Sequence, residues 1–408
     1  MEPSAISADN NEFSAEKHNY EVALLSFGHL LNDFYCNFLP ILIPMLIVSM
    51  DISLALSGVL VMALAFTANV LQPVFGYYMD KYNFSRLLLV VLPFGAFFIS
   101  MTSFVSNFFT LFLCVALSGL AVSLFHPMAT GMVGKTADKK NMGISLSFFI
   151  GGGNLGFAFA PIVLVYFIQA YSLKMLPVLI VPTVILSILF YQAKLYKIRT
   201  VNKDEKNKST LSWRSLAENT ALLKLNAAMA IRTWSHGAIT TFLPMLLLTY
   251  GYDKTASGWL LTGFLVGAAV GGVFGGFLND RIGYKKVIWI SMLAAVFPAL
   301  YFFMAENISF VSIAALFLAG FFLQAAHPCS VVWCQRFLPD NPNLASGMML
   351  GLSFGLGGVG AALTAVAAEY IGLSLALACT VLTLVVGAVI VYTIPECPAV
   401  AKDVIQSE

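Results

Sequence analysis

Four histidines lie inside long apolar stretches of this chain: His29, His126, His236 and His327. The fifth, His18, belongs to a polar N-terminal segment. Asp33 and Arg232 also interrupt apolar stretches, and Asp33 is the only carboxylate near the middle of one. Glu369 stands close to an end, where it reaches water. Imidazole changes charge near neutral pH, and burial or a neighbouring charge decides whether a carboxylate holds a proton. A charge at mid-bilayer costs about 2.5 kcal/mol or more, so each such group invites a functional role. These residue types suit proton binding and recognition of a charged small molecule. We expect Asp33, His126 and Arg232 to handle protons. His29, Asn32, Tyr35, His126, Asn154, Arg232, Trp234, His236 and His327 are expected to meet the substrate, with Phe34 and Trp333 among the apolar walls. One such histidine alone reads as a satisfied packing group; four together point to a wet polar cavity.

The elements that position them follow from composition. Of 408 residues 59% are apolar and 10% charged, with mean hydropathy +0.85. A soluble domain carries about 25% charge, so most of this surface must face lipid. A net charge of +2 gives no support for nucleic-acid binding. The six cysteines (Cys36, Cys114, Cys329, Cys334, Cys379 and Cys397) show no metal spacing, lie mostly in apolar runs and read as small packing groups, and no metal site is expected. No nucleophile–base spacing suggests an enzyme. No G-x-x-x-x-G-K-(S/T) loop is present, so we expect an ion gradient, not ATP or another cofactor, to supply energy. Sodium would want a cluster of oxygen ligands, for which the sequence has no strong candidate.

Runs of about 20 apolar residues mark membrane helices. Twelve occur, at 20–49, 54–79, 86–104, 108–134, 142–168, 173–195, 223–250, 256–278, 287–304, 310–337, 344–370 and 373–394. The longest polar interval splits them six and six. The expected organisation is a tail over 1–19, a six-helix bundle over 20–195, a linker over 196–222, a second bundle over 223–395 and a tail over 396–408. With both ends inside, 19 of the 22 Lys and Arg residues fall in cytoplasmic segments, two (Lys174 and Lys254) fall outside and Arg232 lies within a span. That bias orients the chain with both termini cytoplasmic in a bacterial inner membrane. The acidic, polar first twenty residues argue against a cleaved leader.

The halves repeat. Gly76, Asp80, Lys81, Asn83 and Arg86 recur as Gly276, Asp280, Arg281, Gly283 and Lys286, with Lys285 beside the last base, at an offset of 200. His126-Pro127 recurs as His327-Pro328 at 201, and Phe38-Leu39-Pro40 as Phe242-Leu243-Pro244 at 204. Three anchors in order indicate a duplication with both copies in one orientation. The duplicated G-x-x-x-D-(R/K)-x-G-x-(R/K) loop resembles the signature loop of the major facilitator superfamily. The resemblance implies an all-α fold of twelve transmembrane helices in two pseudo-twofold-related halves, with helices 1, 4, 7 and 10 lining a central cavity. Those four helices carry the four histidines. It also implies a cytoplasmic gate at Gly76, Asp80, Lys81, Arg86, Gly276, Asp280, Arg281 and Lys285. The glycines are expected to let helices approach closely, and Asn83 to take a left-handed turn in place of glycine.

A narrower resemblance rests on Ser26, His29, Asn32 and Asp33, on Leu71-Gln72-Pro73, on Ser123, His126 and Pro127, on Gly152, Asn154 and Gly156, and on the glycine-rich run from Phe354 to Gly360. These are similar to the fosmidomycin-resistance family of drug exporters, in which glutamate follows the His-Pro pair; here Met128 follows it. Gly152, Gly156, Ala160 and Pro161 resemble the antiporter motif of exporters, though small residues at that spacing also serve plain close packing. The reading is a monomeric, proton-coupled exporter of small anionic or zwitterionic drug-like molecules, its partners being the substrate, protons and the lipid bilayer. The alternative is proton-coupled uptake of an anionic nutrient or metal chelate. A non-transporting membrane sensor is a third reading, and would call for an added signalling domain. Arg232 aligns with position 28, about one turn from Asp33, so the two are expected to pair.

Overall fold

The computed structural model describes residues 4–136, 142–198, 218–305, 307–338, 345 and 347–395. Within that range the side chains of residues 4–17, 77, 80, 81, 134, 142–144, 146, 147 and 280 lie outside the described set. The described residues are helical and contain no strand. Helix α1 comprises Ser4–Cys36 and Leu39–Met50. It breaks where Pro40 lacks the N–H that the carbonyl of Cys36 needs. Helix α2 joins Leu54–Ala65 and Gln72–Lys81 through a π-turn at Phe66–Val70. Then come α3 (Leu88–Met101), α4 (Phe108–Thr136), α5 (Met142–Tyr171) and α6, whose 3₁₀ turns Leu173–Ile180 lead into Val181–Gln192. The second half has α7 (Thr220–Thr249), α8 (Lys254–Ile282), α9 (Tyr284–Met304) and α10 (Phe310–Phe337). It ends with α11, a π-turn at Met348–Leu352 followed by Ser353–Ile371, and α12 (Leu373–Tyr392). Ten of these are long and apolar enough to cross a membrane; α3 is shorter, and α7 is 30 residues long but carries Asn226, Arg232 and His236.

Glycine sets the tightest crossings. A Cβ on Gly152 or Gly156 of α5 would run into the carbonyl oxygens of Ser26 and Leu30 on α1. The exporter-like small-residue run is thus where α5 lies backbone-to-backbone on α1. In the second half the equivalent intimacy belongs to α8 and α10. There Gly267, Gly271 and Gly275 face the carbonyls of Phe317, Phe321 and Ala325. Without a hydrophobic driving force in lipid, such close van der Waals packing holds helices together.

The halves meet along α2–α11 and α5–α8. Three hydrogen bonds cross between them at the end remote from the basic loops. Gln169 donates to Thr255 (2.6 Å), Trp259 donates to Tyr166 (3.3 Å), and the Ala55 N–H donates to the Glu369 carboxylate (2.8 Å). Ala55 lies in the first turn of α2, so Glu369 satisfies an unpaired amide and sits at the positive end of that helix. This differs from the expectation that Glu369 merely reaches water.

The duplicated loops are less alike than their sequences. Gly283 takes φ +85° and ψ 156°, a conformation almost confined to glycine. Asn83 has no positive φ; its side-chain oxygen accepts from the N–H (3.2 Å) and hydroxyl of Ser85. The expected left-handed turn is replaced by a side chain that mimics a backbone acceptor. Nor does the motif glycine bring helices together. Gly276 has open space where its Cβ would be, and Gly76 has only Pro127 at an ordinary 3.7 Å. Gly275, one residue earlier, points at α10 and makes the close approach. Of the other gate residues, Arg86 is exposed, Arg281 lies over the Phe277 ring (4.6 Å) and Lys285 over Tyr392 (5.3 Å). The side chains of Asp80, Lys81 and Asp280 are those outside the described set.

Candidate functional site

Helical spacing puts His29 and Asp33 four residues apart on one face of α1, and α4 brings His126 to the same point. Asp33 Oδ2 is 3.3 Å from His29 Nε2, and Asp33 Oδ1 is 3.3 Å from His126 Nε2. Asn32 Nδ2 donates to Asp33 Oδ1 (3.0 Å) and lies 3.3 Å from His126 Nε2. The rings of His29 and His126 meet edge-on at 4.9 Å. On its other side His29 stacks on Phe149 of α5 (4.2 Å), and its Nδ1 bonds the Phe149 carbonyl at 2.8 Å. A carbonyl only accepts, so that bond fixes the hydrogen on Nδ1. The Asp33 and His126 side chains keep 19% and 23% exposure, so the cluster can be reached from outside the packed interior.

The second half builds something else. Arg232 on α7 is fully buried, at 0% exposure. Its Nε donates to the Leu323 carbonyl of α10 (2.7 Å), and its Nη2 donates to the Gln324 side-chain oxygen. Gln324 is the residue whose own carbonyl loses its helical donor at Pro328. The Arg232 Nη1 is buried without a hydrogen-bond partner. The Phe354 ring lies 6.0 Å from the guanidinium, and half-buried His327 meets the same ring edge-on at 5.3 Å. His236 is buried with its ring tilted against Phe264 at 5.4 Å.

Asp33 and Arg232 therefore do not pair as expected. Among the described residues the ion pairs of Asp33 are with His29 and His126. Each long side chain finds partners in its own half, because α4 and α10 supply them closer than the facing half does. Tyr35 also departs from expectation. It is buried in the core and its hydroxyl donates to the Leu179 carbonyl of α6, away from the histidines. Trp234 is half-buried, with Nε1 on the Thr364 hydroxyl at 2.8 Å, and Asn154 is exposed. Of the apolar walls, Phe34 is half-buried against Tyr35 and Phe38, but Trp333 is buried within the core. Met128, at 2% exposure, packs in the apolar core. Sequence reading missed Phe149, Gln324 and Phe354. Phe149 acts through a backbone carbonyl, which has no sequence signature. Gln324 left one signal, a polar residue three positions before His327 in a span.

The Major Facilitator Superfamily profile matches residues 25–253 and 225–407. The fosmidomycin resistance protein of Escherichia coli K12 is 26% identical over 356 residues, covering 86% of this chain and 87% of that protein. The uncharacterized MFS-type transporter YfnC of Bacillus subtilis is 28% identical over 374 residues, covering 88% and 89%. Among solved structures, a bacterial homologue of the human lysosomal transporter Spinster, inward-facing and unoccupied, superposes with TM-score 0.78 at 14% identity, over 92% of this chain and 96% of that one. The nucleoside transporter NupG does so with TM-score 0.74 at 16% identity, over 92% and 98%. The fold, the duplicated loops and the profile match agree, and this chain belongs to the Major Facilitator Superfamily of membrane transporters.

Proposed function

We propose that the chain is a proton-coupled secondary transporter that exports small anionic or zwitterionic compounds by alternating access, as a monomer without a cofactor. The observation that carries this reading is Asp33 held between His29 and His126. With the His29 hydrogen on Nδ1, a neutral ring offers only a lone pair toward Asp33 Oδ2. The 3.3 Å contact is attractive only if a proton sits on one of the two partners. A proton held there supports the coupling reading, and the number held can change with access. Met128 is buried and apolar and cannot hold a proton, so Asp33 is the carboxylate left for coupling in this half. Arg232 acts in the other half as a fixed positive charge that favours anionic groups near His327. Export is supported by the likeness to the fosmidomycin resistance protein.

The basic loops lie on the cytoplasmic side of the bacterial inner membrane in this reading, by the charge bias of the loops. The contacts through Gln169, Trp259 and Glu369 then close the outer face. Substrate enters between α4 and α10, past His126 and His327, with His29, Asn32, His236, Asn154 and Trp234 around it. The loops at Gly76–Arg86 and Gly276–Lys285 form the cytoplasmic gate that closes in the opposite state.

The test is flux driven by a pH gradient in proteoliposomes, with fosmidomycin as the first candidate substrate. Asp33→Asn is expected to abolish gradient-driven accumulation while retaining substrate exchange, because the amide mimics the protonated acid. Undiminished gradient-driven flux in this variant would overturn the assignment of the coupling group.

A further inference from the structure

We infer that His29, Asp33 and His126 form a binding site for one divalent transition-metal ion of the zinc class, with an open coordination position. The argument is geometric. Zinc sites place nitrogen and oxygen ligands about 2.0–2.1 Å from the metal in a tetrahedron, and the edges of such a tetrahedron are about 3.3–3.4 Å. The His29 Nε2 to Asp33 Oδ2 and His126 Nε2 to Asp33 Oδ1 separations are both 3.3 Å, each to a different oxygen, so the carboxylate presents one oxygen to each ring. One ligand atom from each residue can be chosen so that all lie within 4.8 Å of one another, the single such group among the described residues. Two imidazoles and one carboxylate form a ligand set suited to zinc, nickel and cobalt rather than calcium or magnesium.

Two further observations point the same way. The bond from His29 Nδ1 to the Phe149 carbonyl is the outer contact that a metal-bound histidine makes, and it aims the Nε2 lone pair at the site. Asn32 holds Asp33 Oδ1 from outside the ligand set in the same manner. Gly153 of α5 leaves the approach clear. A Cβ there would stand 2.5 Å from His29 Nε2 and 2.7 Å from Asp33 Oδ2, where the ion would lie. Three protein ligands leave the fourth position for water or for an oxygen of an organic chelator. Binding sends any proton held on the ligand atoms to solvent. The ligands come from α1 and α4, far apart in the chain, so residue spacing carries no metal pattern.

This site uses the same side chains as the proton proposal but does not depend on it, because binding is measured without a gradient. The full chain, purified in detergent through a histidine-free affinity tag, is titrated with CoCl₂. Tetrahedral cobalt gives an intense visible absorption, and ZnCl₂ should displace it. The expected result is one saturable Co²⁺ per chain. His126→Ala, Asp33→Asn and Gly153→Ala should each weaken it by at least about tenfold. His18→Asn and Cys379→Ser should leave it unchanged. Folding of each variant is checked by monodisperse elution, and any one of the three that folds is decisive. Absence of saturable uptake by the wild-type protein, or undiminished uptake by any folded one of His126→Ala, Asp33→Asn and Gly153→Ala, overturns the site.

Discussion

The histidine-proline pairs of α4 and α10 occupy equivalent places in the two halves, yet their surroundings have opposite character. His126 meets an acid, Asp33, that is partly exposed and shared with a second imidazole. His327 lies with Phe354 near a base, Arg232, that is sealed in the interior and spends its donors on the Leu323 carbonyl and Gln324. The repeat offset of 204 aligns Asp33 with Gly237 and Arg232 with Gly28, so each charge faces a glycine in the other copy. Duplication preserved the helix frame while one half carries an acid, Asp33, and the other a base, Arg232, at unmatched positions. An acid shared between imidazoles can exchange protons. A guanidinium stays charged, and here it ties α7 to α10 beside a proline kink and sets a field. The lesson is that fold symmetry need not imply functional symmetry.

Overfilling the glycine crossings should produce the largest effect and strike both halves alike. Gly156→Val pushes α5 off the Leu30 carbonyl, and Gly271→Val pushes α8 off Phe321. Overpacking costs about 1–3 kcal/mol, and more where backbone must move, as here. Both variants are expected to lose most monodisperse protein on size exclusion. Survival of one and loss of the other would show that the halves differ in their frames as well as their sites.

The central comparison predicts an asymmetry of the next size. Arg232→Ala removes a buried charged hydrogen bond to the Leu323 carbonyl and the donor of the Gln324 side-chain oxygen, at a cost of about 1–3 kcal/mol, and should lower Tm clearly. Arg232→Lys should not restore it, since an ammonium cannot reproduce the two fixed directions of the guanidinium. Asp33→Asn should lower Tm much less, because Asp33 and His126 are partly exposed and the amide keeps the shape. Arg232→Ala should also weaken anionic substrates more than neutral ones. Equal losses of Tm for the two variants would mean that Asp33 is a structural group like Arg232.

The gate loops give a smaller contrast. Gly283→Ala forces an alanine to φ +85°, a conformation that costs about 1–3 kcal/mol. Asn83→Gly removes only the acceptor for Ser85, worth about 0.5–1.5 kcal/mol. Thermal melts of the two variants should rank in that order.

Much of the frame was legible because the bilayer imposes it. The length of an apolar run, the placement of Lys and Arg and the duplicated motifs are all local signals, and they gave the twelve helices and their family. Part of the site was legible too. His29 and Asp33 share a helical face by spacing alone, and the histidines on α1 and α4 do converge. The pairing of Asp33 with Arg232 failed because sequence aligns helices without showing which way a long side chain turns. Arg232 turned to a backbone carbonyl, and Tyr35 to another in α6; no residue type announces either acceptor. Asn83 failed for a related reason, since a side-chain oxygen can replace the backbone conformation that glycine provides elsewhere.

The smallest expected effect concerns the motif glycines themselves. Gly276 lies within α8, and nothing stands within 4 Å of the position its Cβ would take. Gly76 meets only Pro127, at van der Waals distance. Alanine is favoured over glycine inside a helix by up to about 1 kcal/mol, so Gly276→Ala should hold or slightly raise Tm, and Gly76→Ala should change it little. Gly275→Ala, one residue away, should lower it because its Cβ meets the Ala325 backbone. A fall in Tm for Gly276→Ala would show that the open space around it is filled in the conformation populated in solution. If transport falls while Tm does not, then the space at Gly276 is consumed only when the basic ends of the halves close. The glycine would then belong to the motion between states, and the two copies of the loop could be ranked by the rate each substitution costs.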